Sequence, residues 1–357
     1  MNQVHPVAIG LVGAGGFGEF CLDAFAAMPE AKIAAVADVD RSRAQGLATK
    51  FKATAYFDIE SFLRDPAVDV VALNTPPFLH GSQGLLALAA GKHLFCEKPL
   101  AITAEDGRRM IDLAASKSLS LTVNYVMRHN PFWAAAAELR RSGVLGPLLH
   151  LDLVNHAAGL SLPPQHWFWD ESKSGGIWIE HGVHFFDAFA WVSGETGRVI
   201  SSQQFRRTDG AVDRVEALLQ YGRAGGHCYH AFDQSALTEQ TTVRLTFENA
   251  YLTLREWVPT TLELLTTVAR DKWETMLPGQ VEYTRRDDGR TFARARAAGN
   301  KSEVYRQCVQ SGMRQLIASA RETSGANGLS ATGEAALSSL QTAIDARRRA
   351  VELDRSP

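Results

Sequence analysis

The sequence has little that reads as a membrane anchor or an export signal, and neither is expected. No stretch approaches the roughly 20 apolar residues of a transmembrane helix, and the first apolar run, Val7 to Val12, follows no basic segment of the kind that opens a secretory signal. Cysteine is scarce: Cys21, Cys96, Cys228 and Cys308 lie far apart, without the paired spacing of a zinc or redox site, and read as reduced core thiols. An excess of charge is missing too. With 37 basic and 39 acidic residues the net charge is −2, which offers no field to gather nucleic acid or an anionic membrane. Repeats and polar tracts are absent, so the expectation is a globular cytoplasmic protein with neither nucleic acid nor membrane as partner.

What is there is core. At 357 residues, 45% hydrophobic and 21% charged, the chain exceeds what one core usually holds, and two domains are expected. Val7 to Val12 runs into Gly13-Ala14-Gly15-Gly16-Phe17-Gly18 and then a helical segment to Met28. In a strand, glycine turn and helix of this spacing, Gly13 makes the turn, Gly15 leaves room for a pyrophosphate, and Gly18 packs helix on strand. The helix start supplies amide donors to the phosphates. Lys32 to Ala37 is a second strand ending at Asp38, 20 residues beyond Gly18, where a carboxylate can accept both ribose hydroxyls. This favours NAD; Arg41 and Arg43 nearby leave NADP open.

The alternation of strand and helix continues through Val68 to Leu73, which ends in Asn74-Thr75-Pro76-Pro77-Phe78-Leu79-His80, and through a helix to His93-Leu94-Phe95-Cys96. That short strand delivers Glu97, Lys98 and Pro99 to the edge where open parallel sheets place their ligands. Lys98 is therefore a catalytic candidate, with Glu97 beside it, and Lys98–Pro99 is the kind of bond that adopts cis. One more helix and strand end at Asn124-Tyr125, completing an α/β Rossmann domain with a doubly wound parallel sheet over 1–125.

The ordered set Gly13 to Gly18, Asn74-Thr75-Pro76-Pro77 with His80, and Glu97-Lys98-Pro99 resembles the Gfo/Idh/MocA oxidoreductases. The likeness runs on through Asn124-Tyr125, Arg128, Gly175-Gly176 and the segment Glu180 to Asp187. It implies a C-terminal substrate and oligomerisation domain over 126–357, of α+β type with a large open, mostly antiparallel sheet, and a homodimer or homotetramer. It also implies that Lys98 is the family's active-site lysine, that Glu180 and His184 fill its acid and histidine positions, and that the substrate is a sugar, sugar derivative or cyclic polyol. Glu180 stands where the family usually carries aspartate, so its reach is longer by one methylene.

In the second half, β-type segments without intervening helices run from Val199 to Thr267, as an antiparallel sheet requires. Glu180, His184 and Asp187 are spaced i, i+4, i+7 and share one helix face, with His181 pointing elsewhere. No third or fourth ligand is evident for a metal, and none is expected. Tyr125, His156 and Trp167 are the substrate-contact candidates; aromatic faces pack on sugar C–H surfaces while His and Asn bond hydroxyls. The arginine-rich 285–301 segment reads as a solvated loop, Glu303 to Glu322 and Ala331 to Leu353 as helices, and 324–330 as a plain connection. The chemistry expected is reversible hydride transfer with a nicotinamide. The alternatives are a redox-neutral lyase or glycosidase-type enzyme that uses NAD transiently, and a sugar sensor on the same scaffold.

Overall fold

Six short apolar segments in the first 125 residues form one parallel sheet: β1 (Val7–Val12), β2 (Ala31–Ala37), β3 (Thr54–Tyr56), β4 (Val70–Leu73), β5 (His93–Cys96) and β6 (Leu121–Val123). The structure is a computed structural model that describes residues 5–321 and 330–354. Strand order is β3-β2-β1-β4-β5-β6, so the chain crosses over between β1 and β4 and opens a crevice at their carboxyl ends. Helices cover both faces of such a sheet, which is why β4 is apolar at every position and buried at every position. Phe25, on the helix after β1, meets Phe95 of β5 edge to face with centroids 5.6 Å apart, and both are fully buried.

The chain divides into two compact units. The first takes the chain up to Tyr125 and adds Arg306–Leu340; the second takes Val126–Tyr305 and everything from Gln341. This differs from a simple division at 125/126, and the reason lies in the closing helices, Lys301–Arg321 and Ser330–Arg349. Gln310 donates to the carbonyl of Ala24, Arg314 pairs with Glu30, and Leu337 and Leu340 lie against Gly107, so these stretches of the two helices belong with the first unit.

The second unit carries a ten-stranded sheet: β7 (Leu148–His156), β8 (Arg198–Arg206), β9 (Val212–Tyr221), β10 (Ala224–Ala231), β11 (Gln240–Phe247), β12 (Ala250–Arg255), β13 (Thr261–Thr266), β14 (Gln280–Arg285), β15 (Thr291–Arg296) and β16 (Ala350–Asp354). Its order is β14-β15-β13-β12-β11-β7-β10-β9-β8-β16, antiparallel except where β10 pairs with β7 and β16 with β8. Strand β7 alternates: Leu151, Leu153 and Asn155 are buried while His150, Asp152, Val154 and His156 stand on the opposite, partly exposed face. Trp133 on the helix Pro131–Ser142 packs against Phe189 on the helix Val183–Ser193, and both rings are fully buried.

Two expectations about the second half need correction. Part of the arginine-rich 285–301 stretch is strand β15, because Ala293 and Ala295 alternate with Arg294 and Arg296 and turn small apolar side chains inward. The last helix stops at Arg349, and Ala350–Asp354 pairs with β8 as a strand. Glu352 there accepts from Arg206 and Gln204. Residues 324–329 of the expected connection lie outside the described residues. Among the described residues no helix is long and apolar enough to cross a membrane. The four cysteines are buried and in no disulfide, and burial pushes the thiols of Cys21, Cys96 and Cys228 up.

Candidate active site

The crevice at the ends of β1 and β4 is built for a close backbone approach. Gly13 has φ +99°, and a Cβ there would lie 2.6 Å from the carbonyl oxygen of Asn74. At Gly18 a Cβ would lie 2.1 Å from the Gly13 oxygen, so only glycine lets the helix Gly16–Ala26 start so near the strand. Gly15 and Gly16 are the reverse case, with nothing within 4 Å of an added Cβ. No side chain caps this helix start, so its amide donors are available to an anion, and the open space at Gly15 and Gly16 fits a pyrophosphate. Phe17 stacks on Phe20 at 5.7 Å and lies on the first turn. Asp38 closes the other side: its carboxylate accepts from the backbone N–H of Ala14 at 2.7 Å and of Asp40 at 2.8 Å.

Behind β4 the loop residues are tied to one another. Asn74 donates to Cys21 Sγ at 3.4 Å, Thr75 Oγ1 donates to Gln83 at 2.7 Å, and Pro76 leads into the helix Pro77–Ala89. His80 is fully buried, with its ring nitrogens 2.7 Å from the carbonyl oxygens of Pro99 and Thr75. It thus joins the loop after β4 to the loop after β5. Glu97 is buried at the end of β5; its carboxylate accepts from Asn124 Nδ2 and, at 3.3 Å, from the backbone N–H of Lys98. The Lys98–Pro99 peptide is cis, and the Lys98 side chain is half-buried. Tyr125 follows β6 and is 3% exposed.

In the second unit a π turn, Trp178–Gly182, precedes the α-helix Val183–Ser193. The two histidines expected to diverge come together: at i, i+3 they are neighbours on a helix surface, and the His181 and His184 rings lie 6.2 Å apart, nearly perpendicular. His184 is buried and Glu180 half-buried. Asp187 is fully buried and gives both oxygens to Arg128, at 2.7 and 2.8 Å, locking the helix to the turn Val126–His129. Burial, with the neighbouring Arg128 charge, pushes the His129 imidazole down to about 4.

His156 is not part of this group. It stands on the opposite face of β7, its ring 5.5 Å from Tyr229, because side chains alternate along a strand and its neighbour Asn155 takes the inward position. Trp167 sits in the short turn Trp167–Trp169 with its ring against His166. Sequence reasoning passed over Trp257, whose ring lies 5.2 Å from His184 and 6.2 Å from His181. Nothing local marks it, since its place depends on the pairing of distant strands. Among the described residues no cluster of three or more His, Cys, Asp or Glu could hold a metal ion.

A Rossmann unit with a glycine-lined phosphate cradle and a lysine at the adjoining strand end defines the class as a dinucleotide-binding oxidoreductase fold. The profile described as the oxidoreductase family with an NAD-binding Rossmann fold matches residues 7–125, and the GFO/IDH/MocA C-terminal domain matches residues 133–253. The chain belongs to the Gfo/Idh/MocA family, as the resemblance of its motifs implied. It is 35% identical over 181 residues to dTDP-3,4-didehydro-2,6-dideoxy-alpha-D-glucose 3-reductase of Saccharopolyspora spinosa, covering 50% of this chain and 54% of that reductase. With trans-1,2-dihydrobenzene-1,2-diol dehydrogenase of Macaca fuscata fuscata it shares 28% over 290 residues, covering 80% and 82%. The chain thus spans about half the length of the first of these relatives and most of the second. Levoglucosan dehydrogenase in complex with NADH has the same fold, with TM-score 0.81 at 20% identity over 97% of this chain and 98% of that one.

Proposed function

We propose that this chain transfers hydride between a nicotinamide and the hydroxyl-bearing carbon of a sugar, sugar derivative or cyclic polyol. The observation that carries this is the pairing, within one unit, of an open glycine cradle at the β1/β4 crevice with Lys98 on the neighbouring strand end. Asp38 beside the cradle favours NAD, because a 2′-phosphate meets its carboxylate with like-charge repulsion. When bound, the nicotinamide supplies the two-electron acceptor or donor. The chain's own residues handle the proton. His184 takes the hydroxyl proton as the C–H hydride leaves, and Glu180 orients that imidazole, since Asp187 gives both oxygens to Arg128. Lys98 donates to the oxygen as negative charge develops there, and Glu97 fixes the Lys98 backbone. In reduction the same groups run in reverse.

The sugar class is supported by the names of the reductase and of levoglucosan dehydrogenase given above. The reading includes a homodimer or homotetramer: Leu218 and Tyr251, each about half exposed, stand on the open face of the large sheet, which a second copy would cover. Light scattering on the purified protein measures this. The central test is a panel of aldoses, lactones and cyclic polyols with NAD and NADP, following reduced nicotinamide. Turnover of at least one member with NAD is expected. NAD binding with no hydride exchange on any member would sink the proposal.

A further inference from the structure

Asp38 touches two structures at once. One carboxylate oxygen accepts the backbone N–H of Ala14 at 2.7 Å, and the other accepts that of Asp40 at 2.8 Å. The glycine turn of the phosphate cradle and the start of the helix Arg41–Phe51 are therefore joined through the acid that the proposed reading sets on the ribose. All of these residues belong to the first compact unit. A ribose held by Asp38 turns its 2′ oxygen, and any phosphate on it, toward that acid and the helix start it touches. Amide donors and the positive end of the helix dipole are what a phosphate would seek there.

That helix start is already taken by an anion of the chain's own. Asp40 is its N-cap: Oδ1 accepts from the N–H of Ser42 at 2.9 Å and of Arg43 at 3.2 Å, while Oδ2 lies 3.3 Å from Arg43 Nε. One carboxylate thus occupies both the amides and the guanidinium that a 2′-phosphate would need. The other cation of the turn, Arg41, lies over the Phe57 ring, 4.4 Å from its centroid. The charged side chains of 38–43 are two aspartates and two arginines, which cancel, so Arg41 and Arg43 do not by themselves make a phosphate site. With side chains 62% and 46% exposed, the Arg43–Asp40 pair is weak as a tie. What opposes a phosphate is the charge of Asp40, seated on the donors.

We propose that Asp40 is a second determinant of nucleotide choice, an internal anion that occupies the place of a 2′-phosphate and holds Arg43 away from it. Asp38 faces the ribose hydroxyls. Asp40 acts through the helix start and through Arg43, so it is a positioning residue. The inference rests on the reading that sets Asp38 on the ribose, and it is measured by binding alone.

The experiment is titration calorimetry of the nucleotide-free protein with NAD and with NADP. Asp40→Gly gives up the carboxylate, keeps the backbone N–H that Asp38 accepts, and places at the cap a residue that costs the helix little. NADP is expected to bind it about tenfold tighter, the gain of one charge-assisted hydrogen bond, while the Kd for NAD stays within about twofold and reports that the variant is folded. Asp40→Asn keeps an acceptor on the amides and is expected to gain about threefold, from the lost charge alone. Arg43→Gln by itself is expected to move neither constant by more than about twofold, whereas Asp40→Gly/Arg43→Gln loses most of the gain. A residue that only caps its helix would shift NAD and NADP together, so the ratio of the two constants decides. An unchanged ratio in Asp40→Gly, or a gain that survives whole in the double variant, would overturn the proposal and leave Asp38 on the ribose. An unchanged ratio in both Asp38→Asn and Asp38→Ala would remove the ribose reading, and the inference with it.

Discussion

The carboxylate of Asp38 accepts the backbone N–H of Ala14 at 2.7 Å, so the acid at the end of β2 braces the glycine turn at the end of β1. In the proposed reading one side chain does two jobs, shaping the turn and facing the adenosine ribose. Replacing it separates them. Asp38→Asn keeps an acceptor for Ala14 and removes the charge, so its preference for NAD over NADP is expected to fall by about tenfold, roughly the size of a lost charge-assisted bond. Asp38→Ala loses the brace as well and is expected to raise the KM for both cofactors. Steady-state kinetics with each nucleotide reads both effects, and an unchanged NAD/NADP ratio in both variants would remove Asp38 from ribose recognition.

Lys98 is reached from the opposite side. Its backbone is pinned by Glu97, which Asn124 holds in turn, so the ammonium group swings from a fixed base. Lys98→Met keeps the length and removes the donor. Loss of kcat by about 10²–10⁴ is expected with the Kd for NAD nearly unchanged, because in the proposed reaction the group acts on charge that develops in the transition state. A variant with normal kcat would show that the lysine only packs. Glu97→Gln retains one acceptor and is expected to lose far less.

The first sheet was legible because its signals are local. Strand β5 runs His93–Cys96 in sequence pattern and structure alike, and the glycine turn and Asp38 stand at the ends of buried strands. Features that arise from counting errors or distant pairing were not. His181 and His184 stand at i, i+3, a spacing that makes helix neighbours just as i, i+4 does, so an expectation built on i, i+4 alone puts His181 on the wrong face. Which of Asn155 and His156 turns inward is a period-two question, since knowing which β7 residues face the core requires knowing which side the helices cover. Strand β15 hid because its outward residues are Phe292 and two arginines and its inward ones only two alanines and a threonine, which gives no inward hydrophobic contrast.

The Arg128–Asp187 pair makes a prediction about stability. Asp187 is fully buried and Arg128 partly exposed, so removing the arginine strands a charge while removing the acid returns Arg128 toward water. Breaking such a pair costs on the order of 3 kcal/mol. Arg128→Met is expected to lower urea stability by about that much and Asp187→Ala by somewhat less, while the double variant Arg128→Met/Asp187→Leu recovers part of the loss. Additive losses in the double variant would mean the two side chains act independently.

Two histidines of the second unit are expected to give opposite pH responses. His227 lies between Asp152 at 2.8 Å and Glu216 at 2.9 Å on the open sheet face. The Asp152 bond, supported by Glu216, holds its imidazole above the ordinary value against the opposing cost of burial, while His150 and Arg244 bear on Asp152 itself. A histidine raised in the folded state stabilises fully below its unfolded pKa of about 6.5, and that contribution fades as pH rises through the higher folded value. His129 is the reverse, held down to about 4 by burial and then by the Arg128 charge. Between about pH 6.5 and 4 the unfolded chain takes up a proton there that the folded chain refuses, so stability falls as pH falls, by at most about 1.4 kcal/mol per pH unit. Urea melts from about pH 4 to 9 test both. His227→Gln should be least stable relative to the unaltered protein below about pH 6.5 and converge with it at alkaline pH. His129→Gln should flatten the acid limb and leave the alkaline limb parallel. If both variants ran parallel to the unaltered protein at every pH, neither histidine would titrate differently in the folded and unfolded chains.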